Sequence, residues 1–146
     1  VTTRTRRRVG NASNERGVVA LEFVLVLPFM LTVLFGIVDT SLLLCDKAVI
    51  TNASREAARA GIVVRVPQLS ASEVASVALD YANNNLVTGG TSTVPSVTVD
   101  QSAGTTPGAP LTVTVSYTYE GLVLGSALSS LTGPITVSAT TVMSYE

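Results

Sequence analysis

The sequence predicts an α+β chain: a long N-terminal helix, a second helix and a three-stranded antiparallel sheet. Three observations carry that expectation. Residues 18–38 form an apolar run with a single charge, Glu22. Residues 39–65 keep a helical spacing of small and apolar side chains. Three segments beyond residue 95 alternate apolar and hydroxyl residues with period two. The 146 residues suit one small domain with an appendage. Only 13% of them are charged, against about a quarter in a soluble domain, so part of the chain does not face water.

Composition excludes several functions. There is no His, the commonest general base and metal ligand. A lone Cys, Cys45, rules out an intrachain disulfide or a cysteine-cluster zinc site. No Gly-rich phosphate loop or carboxylate dyad occurs, and Asp80, Asp100 and Glu120 are too scattered in sequence to read as a calcium site. We therefore expect no catalytic residues, no metal and no cofactor. Charge is uneven: Arg4, Arg6, Arg7, Arg8 and Arg16 crowd the first 17 residues, while acids dominate the rest. No aromatic side chain interrupts those arginines for base stacking, so nucleic acid is not an expected partner.

The run VVALEFVLVLPFMLTVLFGIV, residues 18–38, spans roughly 31 Å as a helix, the thickness of a bilayer's hydrocarbon core. Pro28 and Gly36 are tolerated in such helices. A buried core helix is the alternative, but little else in the chain is large enough to wrap it. The preceding arginines put the N-terminus in the cytoplasm and the body outside it. A conventional signal peptide fits poorly, because no small-x-small cleavage site follows Val38. Nor does Cys45 suit lipoprotein processing, since Leu44 before it is bulky. Glu22 lies five residues into the apolar run, and an intramembrane acid is a functional candidate when a partner can be named. Cleavage after Gly17 would supply one, the new amine of Val18. The alternative is a glutamate that snorkels to the headgroups.

Arg16-Gly17-Val18-Val19-Ala20-Leu21-Glu22-Phe23 resembles the class III signal of type IV pilins and pseudopilins: a basic leader ending in Gly, then an apolar helix with Glu at its fifth position. A second stretch, Asn52-Ala53-Ser54-Arg55-Glu56-Ala57-Ala58-Arg59-Ala60-Gly61, is similar to the signature of TadE-like proteins, minor pseudopilins of tight-adherence (Tad, or Flp) pili. Leu27-Pro28 and Gly36-Ile37-Val38-Asp39 also resemble that family. The resemblance implies a pilin-like fold and cleavage between Gly17 and Val18 by an aspartic prepilin peptidase in the inner membrane. It further implies pairing of Glu22 with the new amine during assembly, and Asn52, Arg55, Glu56, Arg59 and Gly61 as family signature residues. The implied partners are the peptidase, other pilins and pseudopilins, Tad inner-membrane assembly proteins and the lipid bilayer. Gly17 suits the cut physically, since Gly disfavours helix by about 1 kcal/mol relative to Ala and extends readily.

Past the membrane, Ile50, Ala53, Ala57 and Ala60 make a narrow apolar stripe, and Lys47, Thr51, Arg55 and Arg59 a polar line. Glu56 and Arg59, three apart, can pair. Arg55, Glu56 and Arg59 read either as a subunit contact, as a clasp on the head, or as a solvated helix face. For Cys45 three readings stand: an inert small hydrophobe, an intermolecular disulfide, or a lipid-modified thiol.

Pro67 stops or bends the long helix. Ser70 and Glu73 form a capping box that opens a second helix through Leu86, with Val74, Val77, Ala78, Tyr81 and Ala82 as its apolar face. Gly89-Gly90 ends it. The strands are expected around Val97–Val99, Leu111–Tyr119 and Ile135–Tyr145, as a three-stranded meander covering the stalk. Leu122, Leu124, Leu128 and Leu131 suggest an amphipathic turn between the last two. The expected organisation is a leader at 1–17, a transmembrane helix at 18–38, an amphipathic stalk at 39–66 and an extracytoplasmic head at 67–146. The expected function is that of a non-enzymatic pseudopilin acting in pilus biogenesis and adhesion. The rival is a single-span anchor displaying a binding domain.

Overall fold

In the computed structural model the described residues are 12–87, 94–119, 121 and 133–146, with side chains from Gly17 onward. The elements run α1 (Ala12–Ile62), α2 (Ala71–Asn85), β1 (Ser96–Asp100), β2 (Pro110–Tyr119) and β3 (Ile135–Ser144). This is the expected α+β arrangement. The chain divides into two compact units at Phe35–Gly36.

In the first unit, α1 carries its apolar residues outward: Leu25 is 70% and Phe29 71% exposed. An 18-residue window of α1 has a mean hydropathy of 2.6, and none of it is buried inside the protein. A core helix would be covered, so the alternative of a buried helix is removed. Each such side chain gains about 1.5–3 kcal/mol on leaving water, and a single-pass membrane anchor is the arrangement that satisfies them. Pro28 sits inside the helix, where its ring nitrogen donates no hydrogen bond. The Thr32 hydroxyl donates back to the Pro28 carbonyl at 2.8 Å. The helix also runs through Gly17 to Ala12, so the backbone at the expected cut is helical rather than extended.

The second unit packs the remainder of α1 and α2 with the sheet. Its core joins Ile50, Ala53, Ala57 and Ala58 of α1 to Val74, Ala78 and Ala82 of α2 and to Leu111, Val113 and Val115 of β2. The buried stripe of α1 is broader than its spacing suggested. Ser54 and Ala58 are fully buried, whereas Ala60 is only half-buried. Small side chains let helix and sheet approach closely, and Gly61 marks the tightest point. A Cβ at Gly61 would lie 2.5 Å from Leu111 Cδ2 and 3.0 Å from Val74 Cγ2. Leu111 and Val74 are themselves fully buried and have little room to yield.

The strand order is β1-β2-β3, all antiparallel. The register aligns Val97 with Val115 and Val99 with Val113, and on the other side Leu111 with Met143 and Val115 with Ala139. Apolar residues thus share the inner face, and Ser and Thr tile the outer one. Outward hydroxyls meet across strands, as between Thr114 and Thr140 at 3.0 Å. The inner position opposite Val113 is Thr141, a polar residue in an otherwise apolar row. Its hydroxyl meets that of Ser54 at 2.8 Å, so the pair satisfies itself between α1 and β3. Ile135, at the strand's start, is 42% exposed.

Helix α1 ends at Ile62, five residues before Pro67. Gln68 accounts for the early end: its amide donates to the Gly61 carbonyl at 2.9 Å, capping one of the carbonyls a helix leaves open. The Val66–Pro67 peptide is cis. Helix α2 opens with the expected capping box. The Ser70 N–H donates to Glu73 Oε2 at 2.8 Å, and the Glu73 N–H donates to the Ser70 hydroxyl. Bonds from the Ser70 backbone and side chain hold the Glu73 carboxyl below its ordinary range. The helix closes at Asn85 with Leu86 as C-cap. The Gly89-Gly90 stop and the leucines of residues 122–131 lie outside the described residues.

Gly61→Ala is expected to destabilise the second unit by about 1–3 kcal/mol through overpacking against Leu111 and Val74. Gly36→Ala, which meets open space, serves as the comparison in the same thermal melts. Equal melting of both variants would show that the close approach at Gly61 is not a constraint.

Candidate functional site

The sequence-nominated residues all lie on α1. Near its start, Val18 and Glu22 are four residues apart and both exposed. That spacing stacks them on one face, roughly 5–6 Å apart at Cβ. A charge on the nitrogen of Val18 would therefore sit within a turn of the carboxylate. Glu22 is the one formal charge from Val18 to Val38.

Farther along α1, the ten-residue signature splits between two faces. Ala53, Ala57 and Ala58 are buried in the core, and Gly61 makes the close approach to Leu111. Asn52, Arg55, Glu56 and Arg59 are exposed. Among the described residues, no hydrogen bond or ion pair holds these four side chains. The expected Glu56–Arg59 pair is not formed, and both groups extend into solvent. Packing accounts for the small half of the signature and leaves the charged half unexplained by the fold. Cys45 is free and exposed on the same helix.

Lys47, placed by its spacing on a polar line, instead turns toward the sheet and donates to the Ser138 carbonyl of β3. The structure also reveals an acid that the sequence did not single out. Asp46 is fully buried, and its Oδ1 accepts the Val87 N–H at 2.9 Å just after α2. Its Oδ2 is buried without a hydrogen-bond partner among the described residues. Burial pushes the Asp46 carboxyl above its ordinary 3.8, and the bond from Val87 only partly opposes this. The signal was available: Asp46 stands four residues before Ile50, on the buried stripe. Asp39, seven residues before Asp46, is also buried.

Among the described residues no group of three or more His, Cys, Asp or Glu side chains converges as a metal site. Glu120 lies outside the described residues. The chemistry on display is charge on helix faces: one acid in the apolar segment, and an Arg-Glu-Arg cluster beyond it.

Residues 17–59 match the family model of TadE-like proteins, bearing out the resemblance read from the two motifs. The match covers the apolar segment and nearly all of the signature, and leaves α2 and the sheet outside it. No curated protein and no solved structure matches the chain.

Because the folded state favours the neutral Asp46 carboxyl, its stabilising contribution is complete below about pH 3.8. It is lost as pH rises from there through the raised folded value. Asp46→Asn keeps an acceptor for Val87 and removes the charge. It should flatten the fall in melting temperature as pH rises above about 4. An unchanged slope would assign the titration to another group.

Proposed function

We propose that this chain is a minor pseudopilin of a tight-adherence pilus, acting in pilus biogenesis and surface adhesion without enzymatic activity of its own. The TadE-like match supports association with that system, and the exposed apolar helix supports a single-pass anchor. In this reading the anchor lies in the inner membrane with the basic leader in the cytoplasm and the head outside. A prepilin peptidase cuts between Gly17 and Val18. The Val18 ammonium then pairs with Glu22, between neighbouring subunits, as the chain joins other pilins and the Tad assembly proteins. Desolvating two charges offsets much of their attraction, so the pair specifies register more than it adds stability.

The observation that carries the reading is a coincidence of boundaries. The family match opens at residue 17, the apolar helix at Val18, and Glu22 sits one turn further on. The rival is an uncut single-span anchor displaying a binding domain. Its support is the helical backbone at Gly17, which the peptidase would have to unwind. Glycine makes that unwinding easier by about 1 kcal/mol than alanine would.

N-terminal sequencing of the protein extracted from membranes is expected to begin at Val18; retention of the arginine-rich leader would favour the rival. Gly17→Ala should leave the leader attached. Glu22→Ala should be inserted and trimmed normally yet enter assemblies poorly, scored as the fraction co-purifying with pilus components. Normal assembly of that variant would refute the pairing of Glu22 with the amine.

A further inference from the structure

The two ends of α2 are held by different means. Its start is fixed by the capping box and by Val74, which is fully buried in the core. Its last turn has less to hold it. Of residues 81–87 only Ala82 is buried; Tyr81 and Leu86 are half-buried, and Asn83, Asn84 and Asn85 face solvent. The Asn84 and Asn85 amides turn back on their own helix and donate to the Asp80 and Tyr81 carbonyls. What ties this turn to α1 is the bond from the Val87 N–H to Asp46 Oδ1, made between residues 41 apart in the chain.

That tie depends on the charge of Asp46. The side chain is fully buried, Oδ1 has a donor and Oδ2 has none among the described residues. A carboxylate needs several donors to replace the water it gives up, and a single N–H does not supply them. Nearby charges do not compensate. On α1, Lys47 is turned to the Ser138 carbonyl, and Asp39 lies two turns back. On α2 stand the exposed Glu73 and Asp80 and the phenol of Tyr81; β1 ends in the exposed Asp100. The spans of β2 and β3 contain Tyr117 and Tyr119 but no charged residue. Burial and the Val87 bond act on Asp46, and burial prevails.

We propose that Asp46 is a proton-operated latch on the C-terminal turn of α2: the neutral carboxyl keeps residues 83–87 docked on α1, and ionisation lets that turn open while the rest of the second unit stays folded. Opening admits water to the carboxylate and removes the penalty of burying it. The sign follows from linkage. The closed turn is fully favoured below about pH 3.8, where the hydrated carboxyl titrates, and opening grows as pH rises through the raised closed-state value, then levels off. The capping box has the opposite sense. Glu73 is held below its ordinary 4.5, so its contribution is present above that value and is lost as pH falls. The two ends of α2 therefore answer acid in opposite directions. The latch is independent of leader cleavage and of a pilus.

The test is amide hydrogen exchange of the full-length chain in detergent micelles, with each rate corrected for the intrinsic rate at its pH. Protection at Leu86 and Val87 is expected to fall severalfold as pH rises from about 3.5, then to level off. Amides of Leu111–Tyr117 should stay at least about tenfold more protected throughout, because the opening is local. Asp46→Asn, neutral and still an acceptor, should keep the high protection at every pH. Asp46→Ala should be unprotected at every pH, roughly three- to tenfold below the Asn variant. Protected Leu111–Tyr117 amides show that each variant folds, and the wild-type profile stands on its own should either fold poorly. A wild-type profile flat in pH, the same dependence surviving in Asp46→Asn, equal protection in the two variants, or loss of protection at Leu111–Tyr117 in step with Val87 would each overturn the latch.

Discussion

The second unit depends on how closely one helix can lie against its neighbours. Alanines 53, 57 and 58 of α1 are fully buried, and at Gly61 even a methyl group would collide with Leu111 and Val74. Small side chains bring the backbone of α1 near the sheet, so the large residues that fill the space come from the other elements. This division of labour explains why the core is built with so few big side chains on the helix. It also fixes how α1 is turned about its axis. Once the alanines face inward, Asn52, Arg55, Glu56 and Arg59 must face outward. The same helix thus serves as a structural beam on one face and presents a charged, exposed surface on the other.

Local signals were the most legible in the sequence. The capping box at Ser70–Glu73 and the period-two strands are short-range patterns, and the structure reproduces them closely. What the sequence did not disclose depends on distant partners. Thr141 belongs to the inner face because Ser54, far away in the chain, supplies its hydrogen bond. The end of α1 is set by the Gln68 side chain reaching back to Gly61, which no helix-stop rule for Pro67 contains. Lys47 reads as a solvent-facing charge until the sheet is in place. Asp46 escaped notice because an acid beside a membrane segment reads as surface, although its spacing from Ile50 put it inside. At the candidate site the residue types were legible from the motifs. Which of them face solvent followed only from the packed helix.

Asp46 illustrates how a polar group in a core constrains more than it stabilises. One oxygen holds the backbone of Val87 where the chain leaves α2. The other is buried with no hydrogen-bond partner among the described residues, an arrangement that costs free energy. Such a group ties the exit of one helix to a single height on another. A well-packed aliphatic residue would permit sliding there.

The lysine at position 47 has a consequence for growth. Among the described residues β1 and β3 are the outermost strands of the sheet, and an open strand border is a template on which another chain can add. The ammonium of Lys47 occupies the carbonyl of Ser138 midway along β3. A positive charge parked there obstructs runaway strand-on-strand stacking. Strand-by-strand accretion at that border is thereby disfavoured.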